Sequence, residues 1–283
     1  MTDTYTRLRT MAHRLPWGLR KIVRFLELYR TSLIWPRPPF AGVYQTFEEM
    51  PGDRKITPET AEMIARNQAY FVREPPKLDD ANGMPILTQN HDLLPLVAAM
   101  LDSANNDQPL RILDFGGGVG VDFRHLPYAT KLQRRLSYTV VELAEVSDAG
   151  RALWRDDARI VFRSELPPAD ARFDIVYSSG ALQFVRDPIA LLKQFTTYGP
   201  RAILLIMTPM TQRKAFVRAQ LRGNAPFPVW VLSVPEVEAA MSTVGYRIGA
   251  QISGNEDYNV DRYPPEYRVP NYAAVLFLRN TPS

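Results

Sequence analysis

The sequence predicts an α/β protein with a seven-stranded, mostly parallel sheet, preceded by a helical N-terminal region. Three observations carry this reading. From residue 110 onward, short β-rich runs alternate with helical stretches. The first of these runs leads straight into a glycine-rich turn, Asp114-Phe-Gly-Gly-Gly-Val-Gly120. The last two apolar runs are joined by a Pro- and Tyr-rich stretch without helical periodicity, so they are expected to pair antiparallel.

Residues 1–37 hold eight Lys/Arg against only Asp3 and Glu27, whereas the whole chain has a net charge of +4, so the remainder is slightly acidic. A phosphate-tracking surface is therefore not expected on the body, and nucleic acid is not expected as a partner. Leu15, Leu19, Ile22, Val23, Leu26, Leu28 and Ile34 recur roughly at helical spacing between basic residues. One or two helices docked on the main domain are expected, with a membrane-surface helix as the weaker alternative. Charges interrupt the segment too often for a signal peptide, and no stretch approaches a membrane span. The prolines of Pro36-Arg-Pro-Pro39 end the helical pattern. A helix from Thr57 to about Val72 follows, with Pro58 in its first turn, and another covers residues 88–104. Residues 1–87 are taken as a helical cap and 88–283 as the main domain.

The main domain is read as strands Leu110–Phe115, Tyr138–Glu142, Ile160–Phe162, Phe173–Tyr177, Ala202–Met207, Tyr246–Ile252 and Tyr272–Leu278. Helices are expected near 144–156, 187–197, 211–222 and 234–244. In the helix that opens at Asp187-Pro188, Asp187 should be the N-cap and Pro188 the first residue.

Loops at the carboxyl ends of parallel strands converge on a ligand crevice, and four such ends carry suggestive residues. At the first, Gly116, Gly117, Gly118 and Gly120 let the backbone approach a ligand where any Cβ would clash, and Asp114 precedes them. The spacing departs from the dinucleotide fingerprint Gly-x-Gly-x-x-Gly, whose last position is Val121, which disfavours nicotinamide chemistry. The second strand ends in Glu142-Leu143, and a carboxylate there has two oxygens to accept both hydroxyls of a ribose. The third ends near Ser164 and Glu165, where an adenine contact is expected. The fourth leads through Tyr177, Ser178 and Ser179 to Gln183 and Phe184.

The absence of cysteine excludes disulfides, thiolate nucleophiles and cysteine zinc sites, and is compatible with a cytoplasmic setting. Only three histidines exist, His13, His91 and His125, none at ligand spacing with another, so metal hydrolysis finds no support and no metal is expected. His91, in Asn90-His-Asp92, is the best candidate for a general base; a structural helix-start histidine is an equal alternative. His125 is read as structural. Tyr177 and Ser179 complete the catalytic candidates. Tyr70, Phe71, Tyr177 and Phe184 could offer aromatic faces to a cation, although Phe71 is read as core.

These motifs resemble class I methyltransferases, built on a Rossmann-like fold, and in particular bacterial methyltransferase-like proteins encoded near natural-product or surface-polysaccharide genes. The resemblance extends over nearly the whole chain: Phe40-Ala-Gly-Val-Tyr-Gln-Thr-Phe-Glu-Glu49, Leu113-Asp-Phe-Gly-Gly-Gly118, Val140-Val-Glu-Leu143, Ser179-Gly-Ala-Leu-Gln-Phe-Val-Arg-Asp-Pro188, Thr208-Pro-Met210 and Phe216-Val-Arg-Ala-Gln220. Tyr177 departs from it, since an aliphatic residue or Phe is expected there. The resemblance implies S-adenosylmethionine as cofactor and a small molecule as substrate. It leaves open methyl transfer, cyclisation of the cofactor to azetidine-2-carboxylate and methylthioadenosine, or an inactive cofactor-binding protein.

Overall fold

The structure is a computed structural model that describes residues 42–50, 58–73, 93–102, 108–126, 136–222, 225–253, 263–269 and 272–280. The predicted N-terminal helices of residues 1–37 lie outside them. Five α-helices and ten strands are present among the described residues. The strands are β1 (Val43–Tyr44), β2 (Leu110–Phe115), β3 (Leu136–Val141), β4 (Ile160–Arg163), β5 (Ile175–Ser179), β6 (Ala202–Thr211), β7 (Phe216–Arg222), β8 (Ala225–Ser233), β9 (Tyr246–Ser253) and β10 (Tyr272–Arg279). The helices are α1 (Pro58–Arg73), α2 (Leu93–Asp102), α3 (Ala144–Leu153), α4 (Pro188–Thr197) and α5 (Val234–Ser242).

The central strands lie in the order β4-β3-β2-β5-β6, all parallel, with β10 antiparallel beside β6 and β9 antiparallel beside β10. This is the mostly parallel α/β sheet predicted, including its closing antiparallel pair. Side chains alternate across it with a period of two. Ile112, Tyr138, Tyr177 and Leu204 face one apolar layer with Leu94 and Phe123. Leu113, Val176 and Ile203 face the other with Leu192 and Phe195 of α4, Val237 and Met241 of α5, and Phe277. Both faces are thus covered, which is why these strands read as nearly continuous apolar runs.

Local chemistry sets the helix starts. The Asp187 side chain accepts the Ala190 N–H at 2.9 Å, with Pro188 beginning α4 as the dipeptide predicts. Ser233 caps α5 in the same way, accepting the Glu236 N–H at 3.3 Å. Helix α1 packs on α3, burying Ala61 and Ala65 beside Val119 and Val146.

One expectation is overturned. Residues 211–222 form no helix: β6 runs on to Thr211, and β7 pairs antiparallel with β8 from Phe216↔Val231 to Arg222↔Ala225. Strand β1 adds to the free edge of β7, and β8 joins the end of β6 at Met210↔Leu232, giving ten strands where seven were expected. The ladder to β8 satisfies the backbone of 216–222 without helical bonds, so tertiary pairing prevails over local periodicity.

Candidate functional site

From β2 the chain winds outward through β3 to β4, then returns to β5 and winds the other way to β6. The loops that follow β2 and β5 therefore diverge, leaving a crevice at the strands' carboxyl ends. The glycine loop closes one side of it. Gly116 has φ +73°, and a Cβ built there would lie 2.1 Å from the Cβ of Ala181, in the loop after β5. Only a glycine lets these two loops meet so closely.

The loop is held from three directions. The Gly116 N–H donates to the Val141 carbonyl at 2.8 Å, at the end of β3. The Trp154 indole N–H, just beyond α3, donates to the Val119 carbonyl at 2.8 Å. The Val119 N–H donates to Gln68 Oε1 at 3.1 Å, and Gln68 comes from α1. Gly117 bears on Asp114, whose carboxylate oxygen would sit 2.0 Å from an added Cβ.

Glu142 follows β3 and is half-buried. Its carboxylate accepts the Leu143 N–H at 2.5 Å and a backbone hydrogen bond from Gly118. Burial raises its pKa from the ordinary 4.5, and the two backbone donors act in the opposite direction. Ser147 on α3 donates to the Glu142 and Arg163 carbonyls at 3.2 and 3.1 Å, tying the ends of β3 and β4 together.

Beneath the loop lies a polar cluster built around the fully buried Asp114, Tyr138 and Tyr177. Tyr138 donates to Asp114 Oδ2 at 2.6 Å, while Asp114 Oδ1 has no hydrogen-bond partner among the described residues. Tyr177, opposite Asp114 in the β2–β5 register, donates to Asp122 Oδ2 at 3.1 Å and is also hydrogen-bonded with Ser179. Burial first, then the neighbouring Asp122 carboxylate, raises the Asp114 pKa well above its ordinary value of 3.8. Burial raises both phenols well above 10, so they stay protonated at neutral pH. Tyr177 is thus enclosed, reaching the crevice through Ser179 and Asp122.

The raised Asp114 pKa has a consequence for stability. Between 3.8 and its raised native value, the native state holds a proton that the unfolded chain has released. Stability therefore falls as pH rises through that window. Asp114→Asn removes this term while keeping an acceptor for Tyr138. The melting temperature of the unliganded variant, relative to the unmodified protein, is expected to rise from pH 5 to pH 8, by about 2–4 °C per kcal/mol regained. Calorimetric scans giving a constant difference across that range would contradict it.

The other predicted residues are placed as follows. Leu143 is exposed beside Glu142, and Ser164 and Glu165 stand exposed just past β4, linked to Glu142 by its N–H to the Arg163 carbonyl at 3.0 Å. Ser178 is buried, with its hydroxyl unpartnered among the described residues. Gln183 is buried and donates through Nε2 to the Met207 carbonyl at 3.2 Å, leaving Oε1 unpartnered among the described residues. Met207 has φ +50°, local backbone strain at a bulge where β6 leaves its β5 pairing. Phe184 meets Phe227 of β8 edge-on, ring centroids 5.6 Å apart, so the β7–β8 hairpin stands at the crevice end of the sheet. His13 and His91 lie outside the described residues, as do the side chains of His125, Tyr70 and Phe71. Among the described residues no cluster of His, Asp or Glu could hold a metal ion, and no helix is long and apolar enough to cross a membrane.

Sequence reasoning missed Gln68, Asp122, Tyr138 and Trp154. Asp122 lies just two residues past the last loop glycine and was open to suspicion. The other three reach the loop only through long-range packing. Gln68→Ala leaves the Val119 N–H without its acceptor, a loss of about 1 kcal/mol. Cofactor affinity is expected to fall about fivefold, read by calorimetry; an unchanged affinity would show that this contact does not hold the loop.

Residues 88–249, more than half of the chain, match the methyltransferase domain family, and the protein belongs to that family. Such domains draw on S-adenosylmethionine. A comparison with curated proteins gives no match. Among solved structures, the chain is similar to the magnesium protoporphyrin IX methyltransferase of Synechocystis PCC 6803 with bound S-adenosylmethionine. The identity is 12%, covering 81% of this chain and 87% of that one, with a TM-score of 0.45. It is also similar to the 1,6-didemethyltoxoflavin-N1-methyltransferase of Burkholderia thailandensis, with 16% identity over 82% and 95% of the two chains and a TM-score of 0.48.

The residues fit S-adenosylmethionine on structural grounds. A glycine cradle that a Cβ would fill lies beside the Glu142 carboxylate, and an acidic oxygen is buried below them without a partner among the described residues.

Proposed function

We propose that the chain transfers a methyl group from S-adenosylmethionine to a small-molecule acceptor, a biosynthetic intermediate. The observation that carries this is the junction of the glycine loop with Glu142, whose carboxylate touches both Leu143 and Gly118. When bound, the cofactor supplies a methyl group activated on a sulfonium.

The residues divide the work. Glu142 accepts the ribose hydroxyls with the lone pairs that Leu143 and Gly118 leave open. The backbone of Gly116, Gly117, Gly118 and Gly120 lies along the methionine portion, and Asp114 is a buried acceptor beneath it. Leu143, Ser164 and Glu165 border the adenine end. Ser178 and Gln183, each with a buried unpartnered oxygen, hold the side nearest β5. Methyl transfer is an in-line displacement, so orientation and exclusion of water matter most. Helix α1 contributes to that exclusion, with Gln68 bonded to the loop and Ala61 and Ala65 packed beside Val119. His91, Ser179 and Tyr177 are the candidates on the acceptor side, with Tyr177 acting through Ser179.

The test is incubation of the pure protein with S-adenosylmethionine, alone and with candidate acceptors, followed by mass spectrometry. Intact cofactor without acceptor, and S-adenosylhomocysteine with one, is the expected result. Methylthioadenosine with a product of azetidine-2-carboxylate mass would replace methyl transfer by cofactor cyclisation. Absence of cofactor binding would overturn both.

A further inference from the structure

We propose that a second cavity, at the opposite end of the sheet from the glycine loop, binds a phosphate group, free or carried by a small molecule. The cavity has a volume of about 360 Å³, within the range of small-ligand sites. Arg111 at the start of β2, Arg172 before β5, Arg201 before β6 and Arg279 at the end of the antiparallel β10 line it. The length of β2, about 17 Å at the usual strand rise, separates it from the crevice.

Four guanidinium groups from four chain segments gather here against one carboxylate, Asp174, whose Oδ2 accepts the Arg111 N–H at 2.9 Å. None of the four forms an ion pair among the described residues. Three are held by a single nitrogen: Arg201 Nη1 donates to the Leu101 carbonyl at 3.0 Å, Arg279 Nη1 to Gly199 at 3.1 Å, and Arg172 Nη1 to Ala171 at 2.8 Å. A Cβ on Gly199 would lie 3.6 Å from Arg279 Nη1 and 3.8 Å from Arg172 Cδ, so those two side chains converge on one spot.

This combination selects a phosphate. A guanidinium anchored by one nitrogen keeps its other donors in a fixed plane, the geometry that grips a phosphate through two parallel bonds. An excess of three positive charges in a concave site concentrates anions. A group with two negative charges answers that excess better than a single carboxylate.

The test is calorimetric titration of the full chain with inorganic phosphate and with ribose 5-phosphate, repeated with S-adenosylhomocysteine present. Saturable binding of at least one probe, at one site per chain and indifferent to S-adenosylhomocysteine, is expected. Affinity should fall tenfold or more in the double variant Arg172→Ala/Arg279→Ala. Arg111→Ala, an exposed residue whose side chain makes no hydrogen bond among the described residues, should weaken binding at an unchanged melting temperature. A tighter grip on ribose 5-phosphate assigns the site to a phosphorylated molecule, and equal affinities assign it to the free anion. No saturable binding of either probe, or binding unchanged in these variants, would overturn the proposal.

Discussion

Replacing Gly116 by valine is expected to abolish measurable cofactor binding, a loss of at least 100-fold or about 2.7 kcal/mol. Two effects add. At φ +73° an L-residue costs about 1–2 kcal/mol, and a β-branched one fares worst. The new Cβ would also fall 2.1 Å from the Cβ of Ala181, which is fixed to the backbone and has no torsion by which to swing aside. The loops after β2 and β5 must then separate, and the crevice changes shape. Gly180→Ala is the control for strain alone. Its φ is +64°, but the nearest atom to its Cβ is Met207 Cβ at 3.8 Å, so about 1 kcal/mol of stability and little affinity should be lost. Equal effects of the two substitutions, measured by calorimetry and thermal unfolding, would show that the approach of the two loops does not matter.

Glu142→Ala is expected to weaken S-adenosylhomocysteine binding by tenfold or more, about 1.4 kcal/mol. The variant loses the acceptor for the ribose and also the brace between Leu143 and the Gly118 N–H. Glu142→Gln keeps one acceptor oxygen and should fall between the two. A pH series separates charge from shape. Burial raises the Glu142 pKa above 4.5, and the ionised form is the better acceptor. Affinity of the unmodified protein should therefore decline as the pH falls through the raised value, whereas Glu142→Gln should lack that decline. Parallel pH profiles would remove Glu142 from the site.

The central strands that were legible in the sequence share one property: they are short, nearly continuous buried runs, because both faces of the sheet are covered. Strand β2 shows it, with only Arg111 exposed, between buried Leu110 and Ile112, and an apolar run up to the glycine loop. The loop and Glu142 were legible because they lie at strand ends, where the parallel order alone brings them together. The hairpin of β7 and β8 was not. Pro226 and Pro228 in β8 argue against a strand, yet they pair with Leu221 and Ala219 close to the open end of the sheet, where missing donors are tolerated. The dipeptide Gly223-Asn224, between the paired Arg222 and Ala225, was the available hairpin signal. The buried contacts below the loop were not legible at all. Tyr138 and Asp114 are 24 residues apart, and Gln68 and Val119 are 51 apart. No local pattern encodes such pairs; they arise when the sheet forms and α1 docks on α3.

The central claim is that the cofactor lies between the glycine loop, Glu142 and the loop after β5. Hydrogen exchange on the full chain, with and without S-adenosylhomocysteine, tests this most directly. Slower exchange is predicted in segments 113–122, 140–147 and 178–185, with the arginine-lined end of the sheet unchanged. Binding that leaves those three segments unprotected, or protects only others, would contradict the account.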